Sequence, residues 1–164
     1  MRRLVENALD VSERAFMAIA AVAVVVMMLS ISADTAGRYL FNRPITGNFE
    51  FISLYLMVIL GFMAAARTYS LGGHIRLELL LPRLPRPVGE ALERLNALAA
   101  GAAFAAFTYA SSEEAIEKFA NLHTTFGVIQ FPVYLSYVWM PLGAALLALR
   151  LLAVAAFGPA RPGR

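Results

Sequence analysis

Four long runs without a charged residue constrain this chain more than any other feature. They cover residues 15–33, 51–66, 95–112 and 119–149. An α-helix rises about 1.5 Å per residue and the hydrocarbon core of a bilayer is roughly 30 Å thick, so about 20 apolar residues span it. The runs therefore predict an all-α, polytopic membrane protein with four transmembrane helices.

The composition agrees with this class and excludes others. Of the 164 residues, 60% are hydrophobic and only 15% are charged, which is too few charges to cover a soluble domain of this size. The chain has no cysteine, so disulfides, cysteine-ligated zinc and iron–sulfur clusters are excluded. The net charge of +3 does not indicate nucleic-acid binding, because the basic residues flank the apolar runs.

The chain is expected to form a single membrane domain over residues 1–164. The predicted transmembrane helices cover residues of about 15–39, 47–69, 88–112 and 132–152. Pro44 ends the first helix, and Pro141 predicts a kink in the fourth. Segments 2–14 and 74–81 mix charged and apolar residues, so we expect short helices at the membrane surface. For segment 2–14 a frayed tail is the alternative.

The basic residues predict the orientation of the helices. Cytoplasmic loops carry an excess of Lys and Arg. Eleven of the 14 basic residues fall on the two termini and the second loop, and three fall on the first and third loops. Both termini are therefore expected to face the cytoplasm, and the first loop the outside.

The middles of the four predicted helices lack ionisable residues, whereas a proton or ion pathway needs them there. His74 and His123 fall on opposite sides in this topology, so they cannot ligate one haem. No metal, cofactor or catalytic site is expected, and the chain is not predicted to be an enzyme. Charged ends with plain middles are typical of a subunit that works with a partner.

The charged ends follow a recognisable pattern. The segment "GRYLFNRPITGNFEF…GFMAAARTYSLGGHIRLELLLPRLP" and the later "YVWMPLGAALLALRLL" resemble the DctQ-like small permease subunit of tripartite ATP-independent periplasmic (TRAP) transporters. The positions that carry the resemblance are Arg38, Pro44, Gly47, Glu50, Gly61, Arg67, His74, Ile75, Arg76, Pro141, Gly143 and Arg150.

The resemblance implies a role and partners. The subunit would brace a large multi-spanning permease in the bacterial inner membrane, among membrane lipids. A periplasmic binding protein would deliver an organic acid, and an ion gradient such as that of sodium would drive uptake. Two alternatives stay open: the small subunit of a tripartite tricarboxylate transporter, and the membrane anchor of a respiratory enzyme. The sequence names no substrate.

Four residues of the first loop are candidates for a hairpin clamp or a partner interface. Asp34 precedes Arg38 by four residues, a favourable order for a helical ion pair, and Glu50 is a second possible partner of Arg38. Arg43 has no obvious partner and is the better candidate for docking.

Two further sets are expected at other places. Arg67, His74, Arg76 and Glu78 would lie at the cytoplasmic interface and contact lipid, each other or a partner. Ala97, Gly101 and Ala105 form a row of small residues that permits close helix packing in lipid.

Overall fold

The computed structural model describes residues 2–72, 86–124 and 130–158, and nearly all of them are helical. No β-strand occurs in these three ranges; a single bridge joins Thr124 and Pro132. The predicted segment 74–81, with His74, Arg76 and Glu78, lies outside the described residues. The all-α class that the sequence predicts is thus confirmed for the described part of the chain.

The described residues form four helical stretches. Helix α1 spans Arg2–Phe41, so segment 2–14 runs without a break into the first apolar run. Helix α2 covers Asn48–Ser70 and includes a π-helical turn at Ile52–Leu56. Helix α3 spans Arg86–Ala120, and the predicted third loop around Glu113 therefore belongs to it.

Helix α4 covers Val133–Phe157 and is interrupted at Val138. Pro141 lacks an N–H group and cannot donate to the carbonyl of Tyr137, which accounts for an interruption at this point. The interruption lies close to the π-helical turn of α2. There the Ser136 hydroxyl donates to the Leu54 carbonyl.

Three of the described helices are long and apolar enough to cross a membrane, namely Leu4–Phe41, Asn48–Ser70 and Val133–Phe157. The chain is therefore a membrane protein. Helix α3 has 35 residues but does not belong to this set. Its apolar part is dominated by alanine, which is less hydrophobic than the valine and leucine of the other helices.

The helices pack in the order α1, α2, α4, α3. Helix α4 is the most buried of the three candidate spans, and the core lies where it meets α1 and α2. The buried core residues are Leu9, Ala66, Leu146, Leu147 and Leu151. Because the chain enters α4 from the end at which α2 begins, α2 and α4 run parallel, and α3 runs antiparallel to α4.

Small residues set the distance between α3 and α4. Ala97 and Gly101 are buried, and a Cβ atom on Gly101 would lie 3.0 Å from the Leu152 side chain. Ala105, predicted in the same row, is exposed instead. The buried face of α3 continues through Ser111 and Ala115, since a helix in contact with its neighbour follows a spacing of three and four residues.

Gly143 lets α4 approach the backbone of α2. A Cβ atom at Gly143 would lie 2.6 Å from the carbonyl carbon of Phe62, a distance that real Cβ atoms do not adopt. The contact involves backbone atoms, so no side-chain rotation can relieve it. Gly61, in contrast, has nothing within 4 Å of the corresponding position.

We predict that Gly143→Ala lowers the free energy of unfolding by about 1–3 kcal/mol, because it forces α2 and α4 apart. The measurement is reversible denaturation of the purified chain in detergent micelles. Gly61→Ala is the matched control and should leave stability unchanged or slightly raised, since alanine is the better helix former. Equal losses in the two variants would show that the close approach at Phe62 does not exist.

Candidate functional site

The polar side chains of the described residues gather at the two ends of the helices. At the end that holds the N-terminus, they form a charge cluster of Asp10, Glu13, Arg67, Ser70 and Arg150. At the other end they form a hairpin clamp, which joins the end of α1 to the start of α2. It consists of Ser30, Asp34, Arg38 and Asn48.

Glu13 is the centre of the charge cluster and is fully buried. One carboxylate oxygen, Oε2, accepts a hydrogen bond of 2.6 Å from the Ser70 hydroxyl and lies 3.7 Å from Nη1 of Arg67. The other oxygen, Oε1, lies 3.4 Å from Nε of Arg150. A single carboxylate of α1 thus meets groups from both α2 and α4.

Asp10 lies one helical turn before Glu13 and completes the charge balance. Its Oδ1 is 3.8 Å from Nη1 of Arg67 and 3.7 Å from Nη2 of Arg150. Two carboxylates therefore face two guanidinium groups. This balance matters because an unpaired charge in an apolar environment is very costly, whereas a paired one is tolerated.

The local sequence explains how the cluster forms. Asp10 and Glu13 are three residues apart and share a face of α1 with Leu9 and Phe16, which pack in or against the core. Arg67 lies in the last turn of α2. Arg150 is itself buried, with 8% exposed, and it lies one turn after the buried Leu146 and Leu147 on the same face of α4.

Sequence reasoning assigned Arg67 to lipid or the interface and missed Asp10, Glu13 and Arg150 as partners. The available signal was the spacing of Leu9, Glu13, Phe16, Ala20 and Ala23. This row has the period of a helix face that packs on a neighbour, and Glu13 is its only acidic member. A carboxylate on such a face predicts a basic partner from another helix.

Asp34 holds the hairpin clamp together. Its Oδ2 accepts a 3.0 Å hydrogen bond from Nη2 of Arg38, and its Oδ1 accepts one of 2.7 Å from the backbone N–H of Ile45. The backbone N–H of Arg43 donates to the Gly37 carbonyl at 3.1 Å. Asp34 therefore fixes the connection between the helices, and Arg38 pairs within its own helix.

A second pair of residues closes the clamp. The Ser30 hydroxyl donates to Oδ1 of Asn48, and Nδ2 of Asn48 donates to the Ser30 carbonyl at 3.3 Å. Asn48 is the first residue of α2, so this contact fixes where α2 starts beside α1. A Cβ atom at Gly37 would lie 2.9 Å from the Arg43 carbonyl oxygen, which explains the glycine at that position.

The side chains of Glu50 and Arg43, the other two candidates of the first loop, do not take part in the hairpin clamp. Within the described ranges, the Glu50 carboxylate and the Arg43 guanidinium make no ion pair, and Glu50 does not contact Arg38. Arg43 is exposed and Glu50 is half-buried in the first turn of α2. The structure thus separates Asp34 and Arg38, which act within the chain, from two charges that are available to other molecules.

The charge cluster and the hairpin clamp join the helices at their two ends. The described residues contain no group of three or more His, Asp and Glu side chains that could hold a metal ion. Along α1, Glu13 and Asp34 lie about 32 Å apart, close to the thickness of a bilayer core. These features define a helical membrane protein with two charge layers, the charge cluster and the hairpin clamp, which lie on either side of an apolar region.

A family of this class matches the chain. The sequence profile of the tripartite ATP-independent periplasmic transporters, DctQ component, matches residues 27–158. The chain belongs to this family, the small permease component of TRAP transporters, and the resemblance inferred from the sequence is confirmed. No curated protein and no solved structure matches the chain.

The charge cluster leads to a prediction about stability. Glu13→Ala leaves the buried Arg150 guanidinium with only Asp10, so we expect the free energy of unfolding to fall by about 3–5 kcal/mol. Asp10→Ala is the matched control and removes a carboxylate that is 41% exposed, at a cost of about 1 kcal/mol or less. Denaturation in detergent micelles measures both. A loss for Asp10→Ala as large as that for Glu13→Ala would contradict the geometry.

Proposed function

We propose that this chain is the small integral-membrane subunit that braces the large permease of a TRAP transporter. In this role it supports the uptake of an organic acid that a periplasmic binding protein delivers and an ion gradient drives. The observation that carries the proposal is the family match over residues 27–158. It favours this function over a tricarboxylate transporter subunit or a respiratory membrane anchor.

The distribution of charge supports a bracing role. The charged side chains of the described helices lie towards their ends, and the apolar region between the two charge layers has no Asp, Glu, Lys, Arg or His in the described helices. Substrate and ion sites would accordingly reside in the large permease. The exposed apolar surface of α1 and α2 is available to lipid and to that partner.

We propose that α3 is a fourth span. It lies along α4 from one end to the other: Gly101 is beside Leu152, and the Phe119 ring packs on Tyr134 with centroids 5.3 Å apart. A helix that follows α4 over its length enters the membrane with it. Arg94 and Glu113 bound an uncharged stretch of about 28 Å, which fits a bilayer core.

The same arrangement supports an orientation in the inner membrane with both termini in the cytoplasm. With four spans, the two termini lie on one side, together with the charge cluster. The count of basic residues then assigns that side to the cytoplasm. The hairpin clamp would face the periplasm, where the binding protein acts.

Glu50 and Arg43 are the charges that we propose for contact with a partner. At the periplasmic end, in the proposed orientation, they would be available to the large permease or the binding protein. Arg38 and Asp34 instead hold the hairpin in shape. On the cytoplasmic side, Arg67 stabilises the bundle through Glu13, so lipid contact is a secondary role for it.

Purification of the tagged chain from its native membranes in a mild detergent tests the function. We expect a large multi-spanning permease to copurify with it in comparable amount. A chain that is recovered alone, with its own fold intact, would contradict the proposal.

Two variants refine the same experiment. Glu50→Gln and Arg43→Gln should lower recovery of the permease a few-fold, since an ion pair at a partly exposed interface contributes on the order of 1 kcal/mol. Glu114→Gln is the matched control, because Glu114 pairs with Lys118 of its own helix. None of the three should change which substrate is taken up, and an altered substrate preference would contradict a bracing role.

A further inference from the structure

The tip of the α1–α2 hairpin exposes large apolar side chains. Tyr39, Leu40 and Phe41 end α1 and are 83%, 75% and 73% exposed, and Phe49 in the first turn of α2 is 79% exposed. These are among the most exposed apolar residues of the described chain. A loop that extends into water would bury such side chains and expose its polar groups.

Two polar groups of the tip are bonded within the chain. The Asp34 carboxylate is only 17% exposed, because it accepts hydrogen bonds from Arg38 and from the Ile45 backbone. The Gly37 carbonyl is satisfied by the Arg43 N–H. In an apolar environment backbone groups must find partners inside the protein, as the Ile45 N–H and the Gly37 carbonyl do here.

The apolar residues also point in several directions. Successive residues of an α-helix are about 100° apart, so Tyr39, Leu40 and Phe41 cover more than half of the circumference of α1. A protein partner on one side of the helix would cover one or two of them. A surrounding apolar medium covers all three.

The position of residues 39–41 along α1 indicates which layer of the bilayer surrounds them. Asp34 lies about 32 Å from Glu13, so the pair brackets a hydrocarbon core. Residues 39–41 lie about 7–11 Å further along the axis, at the level of the lipid headgroups once the helix has an ordinary tilt of about 20°. Tyrosine, like tryptophan, is enriched at this boundary.

From these observations we infer that the hairpin tip lies in the interfacial layer of the bilayer, with Tyr39, Leu40, Phe41 and Phe49 against phospholipid. The partner of this surface is the boundary between the headgroups and the acyl chains. Arg38, whose side chain is 62% exposed, donates from Nη2 to Asp34 and can offer its other guanidinium N–H groups to the lipid phosphates. The hairpin is then an anchor that fixes the depth of α1 and α2.

Single-cysteine labelling tests whether the tip is in water, because the chain has no cysteine of its own. Phe41→Cys, Phe49→Cys and Thr46→Cys are expressed with the rest of the transporter and treated in intact cells with a water-soluble maleimide. Thr46→Cys is the matched control, because Thr46 is exposed in the same connection, three residues from Phe49. We expect both phenylalanine positions to react at least about tenfold more slowly than Thr46→Cys.

Equal rates at the three positions would overturn the inference, since they would place the tip in water. The ratio of rates decides this on whichever side of the membrane the maleimide reacts. The side itself tests the proposed orientation separately, and copurification of the permease tests the proposed function. Failure of one is therefore distinguishable from failure of the others.

A fluorescence experiment separates lipid from a covering protein. The purified transporter carries Phe41→Trp with Trp139→Phe, which removes the one native tryptophan of this chain, and is reconstituted with brominated phospholipids. The signal of the transporter with Trp139→Phe alone is subtracted as that of the partner chains. Bromine near the headgroup end of the acyl chain should quench this tryptophan more than bromine near the chain end. Val25→Trp, from the exposed middle of α1, should show the reverse order. Absence of quenching of Phe41→Trp by either lipid would overturn the inference, because a protein would then cover the tip.

Discussion

The fold depends on one buried carboxylate. Glu13 brings a negative charge into the apolar core, and it is tolerated there because Arg67, Arg150 and Ser70 come from two other helices to meet it. The buried guanidinium of Arg150 likewise requires its carboxylate partners, because an unpaired buried charge is strongly destabilising. Three helices are thereby held in one register at one end. In a bilayer, where apolar side chains gain little by leaving lipid for protein, such polar contacts and close packing hold the helices together.

The charged side chains at the two ends of the bundle are paired in different ways. At the charge cluster, charges from separate helices neutralise each other inside the protein. At the hairpin, Asp34 collects donors from its own helix and from the following loop, while the apolar side chains turn outwards. Between them, the contact of Gly143 with the Phe62 backbone sets the spacing of α2 and α4. The result suits the bracing role that we propose for this chain.

The sequence is sufficient for those features that depend on local or averaged properties. Uncharged runs predict the helices, and the spacing of four residues brings Asp34 next to Arg38. The family is recognisable from the pattern around Arg38, Pro44 and Glu50. The charges of segment 2–14 predicted a short helix at the membrane surface. The continuity of α1 through Glu13 was therefore not predicted. The partners of Glu13 could not be predicted either, since Ser70 and Arg150 come from distant positions whose register only the packed helices determine. For the same reason Ala105, placed in a packing row by spacing alone, turns out to be exposed.

A double-mutant cycle between Glu13 and Arg150 tests the central claim most directly. The free energies of unfolding of Glu13→Ala, Arg150→Ala and the double variant, measured in the same micelles, give the coupling of the two side chains. If the buried pair links α1 to α4, the coupling energy is at least about 1.5 kcal/mol, and the double variant loses much less stability than the sum of the single ones. Additive losses, with a coupling within about 0.5 kcal/mol of zero, would contradict the account.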